Sequence, residues 1–564
     1  MQALQTLRGQ LLCSVASGII LSFCFPGWEL DWLLWIWMLP LLLQIWRSDG
    51  APAIRRPFLI GWISGLTFFT INLFWIRHSS RVNLARSLDD SWAGWSAEMT
   101  GLAAVLVLSS YLALYFGLWS WLAARFFRPS TRRMTDEPWL TSSVESLRSA
   151  FLAAATWAGL EFLRGWVMTG FGWNGLGVAL YQNVVLIQIT DIIGVCGLSF
   201  LPVFVACIVF NTITRLTLTW QKRRRLIARL DFTVGMLSVL MAALYGLSHL
   251  AKPTPTGPQL RVAMIQPNVP QAVKWEHTDD QGIYAKLYQL TKLYAEARDG
   301  SSAIDLVVWP ESALPFGLYE LPEHPQFFND VLSMGDFSLM TGLDIQEPNG
   351  KGYTSAGLFR ENFENMQAYH KVHLVPFGEY LPLRHELPFM EPLLGGLLPG
   401  DFEPGPSVQP LNLEQPKVQI IPLICFEDTV GRLARHFIRN EPQVIINVTN
   451  DGWFLDSIEP VQHLSNAVFR AVELRRPMIR ACNTGVTCVI NERGRITAKL
   501  EDPETGAWAI QGVLPATIQT DANAPITIYA RWGDWFSLAC LVVTFAGVCF
   551  SRLRRRRVES AGDG

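Results

Sequence analysis

Apolar residues are segregated along this chain. They crowd the stretch before Leu250 and a second stretch after Arg531, and leave ordinary globular sequence between them. A water-soluble fold has no room to bury so many unbroken apolar runs, so both ends are committed to a lipid environment. With 50% hydrophobic and only 17% charged residues, the composition agrees. The runs predict about seven spans in the first region, near 11–25, 32–46, 58–76, 101–126, 151–167, 184–213 and 232–250, and one in the second, near 535–550. The first two are short and are also compatible with a hairpin that does not cross. The 11–25 run resembles the apolar core of a signal peptide. No small-residue cleavage site follows it and further spans do, so it is expected to be retained.

Basic residues alternate between connections. Arg47, Arg55 and Arg56 fall in the second, Arg128, Arg132 and Arg133 in the fourth, and Lys222, Arg223, Arg224, Arg225 and Arg229 in the sixth. Arg552 and Arg554 to Arg557 form a basic tail of the same parity. Arg77, Arg81 and Arg86 depart from the pattern but are offset by Asp89, Asp90 and Glu98. The positive-inside rule then puts both termini in the cytoplasm and the middle region on the opposite face of the membrane. A net charge of −2 excludes a strongly basic nucleic-acid binder, and no nucleic-acid partner is expected.

The expected organisation is a membrane domain over 1–250, a globular domain over 251–530, and a final span with its tail over 531–564. Lys252-Pro253-Thr254-Pro255-Thr256-Gly257-Pro258 reads as the linker into the globular domain. There, strand-like runs at 260–265, 306–309, 339–343, 368–375, 419–425, 444–449 and 486–491 alternate with helix-like segments such as 281–297 and 458–476. That alternation means an α/β domain.

Three segments of this domain carry reactive residues. Val307-Val308-Trp309-Pro310-Glu311 and Ile420-Ile421-Pro422-Leu423-Ile424-Cys425 each place one just after a β-branched run, at the end of a buried strand. Tyr369-His370-Lys371-Val372 carries a lysine into a third apolar stretch. A carboxylate, an ammonium and a thiol so placed are the parts of acyl transfer through a thioester. Cys425 is the candidate nucleophile, Glu311 the base that takes its proton, and Lys371 the cation that lowers the thiol pKa or holds an oxyanion. Glu379 and Glu427 would orient Lys371 or polarise the incoming nucleophile. Taken singly, each residue also has an ordinary structural reading. Of nine cysteines, only Cys425, Cys482 and Cys488 lie in this domain. The last two flank a turn, Asn483-Thr484-Gly485, and are either a cross-hairpin pair or two buried thiols. No spacing fits a metal site.

These segments resemble the three signatures of the nitrilase superfamily, with its Glu-Lys-Cys triad and α-β-β-α sandwich. The likeness extends to Pro376-Phe377-Gly378-Glu379-Tyr380-Leu381-Pro382, Asn450-Asp451-Gly452-Trp453-Phe454, Gln462-His463-Leu464 and Arg480-Ala481-Cys482-Asn483-Thr484-Gly485. With its flanking spans, and with Arg164-Gly165-Trp166-Val167-Met168-Thr169-Gly170-Phe171-Gly172-Trp173 among them, the whole chain resembles the membrane-embedded apolipoprotein N-acyltransferase family. The resemblance implies Glu311 as base, Lys371 as transition-state stabiliser and Cys425 as acylated nucleophile. It also implies supporting roles for Glu379 and Glu427 and a place near the site for Trp275. Phe426 replaces a frequent tyrosine, Gly172 a frequent proline and Cys482 a frequent threonine, and the 77–98 connection is longer than usual.

The implied reaction moves an acyl chain from a phospholipid, expected to be phosphatidylethanolamine, onto Cys425. It then passes to the α-amine of a diacylglyceryl-cysteine at the N-terminus of an apolipoprotein. No cofactor or metal is implied, and a monomer in the bacterial inner membrane is expected. A membrane-tethered amidase acting on a soluble amide is the rival enzyme, but one anchoring span would serve it. A transporter or receptor would leave the Glu-Lys-Cys segments without purpose.

Overall fold

The computed structural model describes residues 6–46, 56–79, 91–221, 230–295, 304–382, 384, 386, 401–454 and 457–562, leaving out the side chains of 91–96, 135, 221, 275 and 554–562. Most of the basic connections noted above, at 47, 55, 81, 86, 222–225 and 229, therefore lie outside the described residues. The chain divides into two compact units. One comprises Met1–Arg77, Leu102–Leu250 and Asp534–Gly564; the other comprises His78–Gly101 and Ala251–Gly533.

The first unit is helical. Among the described residues four helices are long and apolar enough to cross a membrane: Ala97–Phe127, Phe200–Trp220, Leu230–Leu250 and Trp535–Leu553. The other expected spans are modified. The runs at 11–25 and 58–76 form helices Leu7–Ser22 and Pro57–Asn72, of 16 residues each, or roughly 24 Å of length. The 32–46 run is no single helix. It splits into a 3₁₀ turn, Asp31–Trp35, and a seven-residue helix, Leu39–Ile45. Pro40 opens the second piece, as expected of a residue that lacks an N–H and starts helices rather than continuing them. The 184–213 run breaks into Leu186–Ile189, Thr190–Leu198 and the start of Phe200–Gln221, and the second piece is itself kinked at Gly194, which has a positive φ (70°). The 151–167 run is the second half of a longer helix, Trp139–Arg164, which carries Glu145, Arg148, Glu161 and Arg164. Edge-to-face rings knit the interior: Phe116 and Trp157 are 4.8 Å apart, and Trp37 and Trp119 each lie 5.3 Å from Trp157.

The second unit is an α-β-β-α sandwich of two six-stranded sheets. In chain order the strands are β1 (Gln259–Gln266), β2 (Leu306–Val308), β3 (Ser338–Gln346), β4 (Gly352–Arg360), β5 (Asn362–His370) and β6 (Leu411–Leu413), followed by β7 (Val418–Ile424), β8 (Gln443–Thr449), β9 (Met478–Cys482), β10 (Cys488–Ile490), β11 (Ile496–Lys499) and β12 (Gly512–Gln519). One sheet has the order β12-β1-β2-β3-β4-β5 and the other β11-β10-β9-β8-β7-β6. They face each other through β1 and β9, β3 and β8, and β4 and β7.

Strand direction explains how three distant segments converge. β1, β2 and β3 are parallel. β4 is antiparallel to β3, and β5 to β4, so β5 again runs with β2. Residues that follow β2 and β5 therefore emerge at the same edge of one sheet. In the other sheet β7, β8 and β9 are parallel, so residues after β7 and β8 share an edge too. Helices Asp280–Ala295 and His324–Leu332 cover the outer face of the first sheet, with Leu287 and Phe328 fully buried against it.

Several strands were not legible as apolar runs. β5 is largely exposed over its first seven residues, and β12 lies at a sheet edge with Pro515 inside it, a position that tolerates a missing N–H. The expected strand at 368–375 ends at His370. Cys482 and Cys488 are both buried and unpaired. In the β9–β10 pairing it is Arg480, not Cys482, that stands opposite Cys488.

Candidate active site

Glu311 follows β2 in a segment still clasped to β3. Trp309 N donates to Met340 O (2.8 Å), Gly342 N to Pro310 O (3.0 Å) and Ala313 N to Gly342 O (3.0 Å). The approach is close enough that a Cβ on Gly342 would lie 2.4 Å from Glu311 Cα. Ser312, with φ 42°, then turns the chain away.

Lys371 is the first residue after β5. Its N donates to Thr354 O (2.8 Å) and its carbonyl accepts from Gly405 N (2.8 Å). The side chain is 1% exposed, with Nζ 2.5 Å from Glu379 Oε1 and 3.4 Å from Glu311 Oε1. Cys425 is the first residue after β7 and has φ 49°, a left-handed conformation that costs energy for any residue with a Cβ and is common at functional turns. Asn447 Nδ2 holds its carbonyl (2.9 Å). The thiol and the Glu311 carboxyl lie close enough to shift each other's titration.

The two supporting glutamates do different things. Glu379 touches the lysine directly, and its second oxygen accepts from Val375 N (2.8 Å). Glu427 is fully buried and works through the backbone. Oε1 accepts from Tyr369 Oη (2.8 Å), Val372 N (2.8 Å) and His373 N (3.0 Å), and Oε2 accepts from Ile424 N (2.9 Å). One carboxylate thus ties the lysine loop to the end of the cysteine strand. Phe426, beside it, stacks on His373 at 5.9 Å. Trp275 closes a short helix, Gln271–Trp275, and its side chain lies outside the described residues.

Burial dominates the electrostatics. It pushes Glu311 up to about 7, against the pull of Lys371 and with the help of Glu379. It also pushes the Cys425 thiol well above its ordinary range, an effect Glu311 reinforces and Lys371 opposes. Burial pulls Lys371 down, but Glu379 and Glu311 outweigh it and hold the ammonium above the usual lysine range. At neutral pH the site therefore contains a neutral thiol, a fixed cation and a carboxyl poised between its two forms. Such a set can abstract the thiol proton and stabilise a developing oxyanion.

Residues the sequence reading passed over complete the site. Lys274 is buried and hydrogen-bonds to the carbonyl of Ser312, next to Glu311. Burial pulls it down to about 8. Ser312 Oγ donates to Asp344 Oδ1 (3.1 Å), and burial raises the Asp344 carboxyl. Both residues were at hand in the sequence, Lys274 beside Trp275 and Asp344 just past an apolar run, but nothing local marks either as facing Glu311. Behind Cys425, His463 bridges Asp428 (Nε2 to Oδ1, 2.9 Å) and Asp451 (Nδ1 to Oδ1, 2.9 Å), and Arg480 bonds to Asp428. Donor atoms of Asp451, Glu459 and His463 lie within 4.8 Å of one another, as metal ligands would. Burial lowers His463, but Asp428 and Asp451 outweigh it and raise the imidazole to about 10, so it is a cation at neutral pH. Burial, then Asp451, raises Glu459 well above the carboxylate range, so it stays neutral. His463 and Arg480 then balance Asp428 and Asp451, and the cluster needs no metal to be neutral.

Sandwich and site together define a carbon–nitrogen hydrolase domain, and residues 261–524 match the family model described as Carbon-nitrogen hydrolase. A solved carbon-nitrogen hydrolase from Helicobacter pylori G27 aligns with 54% of this chain and 97% of its own at 16% identity, with a TM-score of 0.33. Residues 17–208 match a second model, the Apolipoprotein N-acyltransferase N-terminal domain. Over nearly the full length, the chain is 32% identical to the apolipoprotein N-acyltransferase of Geobacter metallireducens (98% of this chain, 97% of the relative). It is 30% identical to that of Vibrio cholerae serotype O1 (97% and 98%). The chain belongs to the apolipoprotein N-acyltransferase family.

Proposed function

We propose that this protein transfers an acyl chain from a phospholipid, through a thioester on Cys425, to the N-terminal α-amine of an apolipoprotein. The observation that carries the reading is one buried carboxyl, Glu311, paired with the Lys371 ammonium (3.4 Å) and acting on the Cys425 thiol. Glu311 takes the thiol proton as sulfur attacks the sn-1 ester carbonyl. The C–S bond forms, and Lys371 faces the oxyanion. Collapse breaks the ester C–O bond, and the proton on Glu311 passes to the leaving oxygen, releasing lysophospholipid. In the second half the α-amine of a diacylglyceryl-cysteine attacks the thioester and gives its proton to Glu311. The C–N bond forms, the C–S bond breaks, and the thiolate recovers the proton. Glu379 and Glu427 hold Lys371 and its loop in register with Cys425 throughout. Phosphatidylethanolamine is the proposed donor and the monomer the proposed working unit.

Both substrates carry acyl chains that stay in the bilayer, which gives the apolar helices of the first unit a purpose. Alternating basic connections support placing both termini in the cytoplasm and Cys425 at the outer face of the bacterial inner membrane. The test is mass spectrometry of purified protein incubated with phosphatidylethanolamine and no acceptor. The expected result is one acyl mass on the Cys425 peptide, removed by neutral hydroxylamine and missing in Cys425→Ala. Folded wild-type protein that gains no acyl mass would refute phospholipid as the donor and return weight to an amidase.

A further inference from the structure

Arg164 ends the helix Trp139–Arg164 and is 3% exposed. Its guanidinium rests on the Phe69 ring, 5.1 Å from the centroid. Its Nε and Nη2 are buried and make no hydrogen bond. The carboxylate one turn back, Glu161, is occupied by uncharged donors: Trp157 Nε1 (3.1 Å), Leu176 N (2.9 Å) and Ser199 Oγ (2.5 Å). A guanidinium stays charged at any physiological pH. Glu161 acts on the guanidinium only through space, and a buried charge whose N–H groups find no acceptor is costly and in a membrane protein marks a functional position. An aromatic face offsets part of that cost, but leaves two N–H-bearing atoms unused in a fork that suits a bidentate anion.

The surroundings indicate which anion. The ionisable groups that act on the guanidinium, besides Glu161, are Cys196, Tyr115 and Tyr111. The two tyrosine hydroxyls are 3.2 Å apart, and Tyr111 Oη also donates to Val167 O (3.2 Å). Just after Arg164 the chain makes a loop closed by Phe171 N donating to Arg164 O (3.0 Å). Met168, Thr169 and Gly170 all have positive φ (53°, 74° and 87°), a strained run. Trp166, Val167 and Met168 of that loop are exposed. An exposed tryptophan with apolar neighbours suits the headgroup level of a bilayer. The segment containing Cys196 also carries Ile192, whose carbonyl accepts from Trp535 Nε1 (2.8 Å), and Asp191, which accepts from Tyr245 Oη (2.8 Å).

We propose that Arg164 binds the phosphodiester of a phospholipid, whose oxygens fill the unused Nε–Nη2 fork while its chains stay in the bilayer. The inference rests on the phospholipid-donor reading above and concerns the helical unit by itself. Its test measures binding by the full-length, detergent-solubilised protein. The ligands are phosphatidylethanolamine and diacylglycerol of the same chains, with inorganic phosphate as competitor. Arg164→Gln should weaken phosphatidylethanolamine binding about 10- to 100-fold, the loss of a charge-assisted pair. Diacylglycerol should show no such difference, and millimolar phosphate should not displace the lipid. Arg164→Lys keeps the charge but not the fork; it should lose less, and it decides the matter if Arg164→Gln does not fold. Equal phosphatidylethanolamine affinity in wild type and both variants would overturn the proposal. So would parallel loss of both lipids, or displacement by phosphate, which would mean a free-anion site. A wild type that discriminates the two lipids through Arg164 yet forms no thioester would refute the acyl-donor reading and leave the binding site standing.

Discussion

The sharpest consequence of the site is the pH dependence of acylation. Burial raises Glu311 from its ordinary 4.5 to about 7, which corresponds to ~3 kcal/mol in favour of the neutral acid. A base must be ionised to accept the thiol proton, so the rate should follow the ionised fraction of Glu311. With a pKa of about 7, about a tenth of the molecules are competent at pH 6 and about nine-tenths at pH 8. The single-turnover rate of thioester formation should therefore rise roughly tenfold between those values and level off above. The assay is rapid quench with phosphatidylethanolamine followed by intact mass. Glu311→Gln should lose about 100- to 10,000-fold and its pH inflection. The sign for stability is opposite. The fold favours the neutral acid, so this contribution is fully present below pH 4.5 and is lost as pH rises through about 7. At pH 8 Glu311→Gln should thus be the more stable protein, by up to ~3 kcal/mol. A flat profile from pH 5.5 to 8, or an inflection only at the higher pH where the buried thiol itself ionises, would refute Glu311 as the base.

Other perturbations test the supports. Gly342→Ala would set a Cβ 2.4 Å from Glu311 Cα; acylation should fall about 100-fold and stability by about 1–3 kcal/mol, read by single-turnover rate and thermal unfolding. Glu427→Ala strands three N–H groups and the Tyr369 hydroxyl and should cost at least 3 kcal/mol, whereas Tyr369→Phe, which removes one bond, should cost about 1 kcal/mol in denaturant unfolding. His463, raised to about 10, contributes stability that is complete below pH 6.5 and fades as pH approaches 10; His463→Gln should lower the unfolding midpoint at pH 7 and flatten its dependence between pH 8 and 10. Because Arg480 and His463 already balance Asp428 and Asp451, EDTA treatment should leave both thioester formation and the unfolding midpoint unchanged; a loss restored by a divalent cation would show that the cluster holds one.

Glu311 and Cys425 were legible because each stands at the end of an apolar run, and Lys371 because it leads into one; a run's length and β-branching are local properties. The same holds for the helices Ala97–Phe127, Phe200–Trp220, Leu230–Leu250 and Trp535–Leu553, whose apolar length is a matter of composition. β5 and β12 were not, since an exposed or edge strand carries no apolar period and is stabilised by its neighbours. The run at 184–213 misled for a related reason: hydropathy counts apolar residues and is blind to a positive-φ glycine that kinks a helix within them.

What the sequence determined by itself was the division into membrane and globular parts and the α/β class, and it singled out three candidate reactive residues, all from patterns a few residues long. Only the tertiary structure decided the state of those residues. Glu311 sits at about 7 because strands distant in sequence exclude water from it. Lys371 remains charged because Glu379 and Glu311 close on it. Lys274, Asp344 and Arg164, with its two unbonded nitrogens, acquire meaning only from what packs around them. The physical reason is that a side chain's chemical type is written at its own position, whereas its desolvation and its charge partners are supplied by segments the local sequence does not contain.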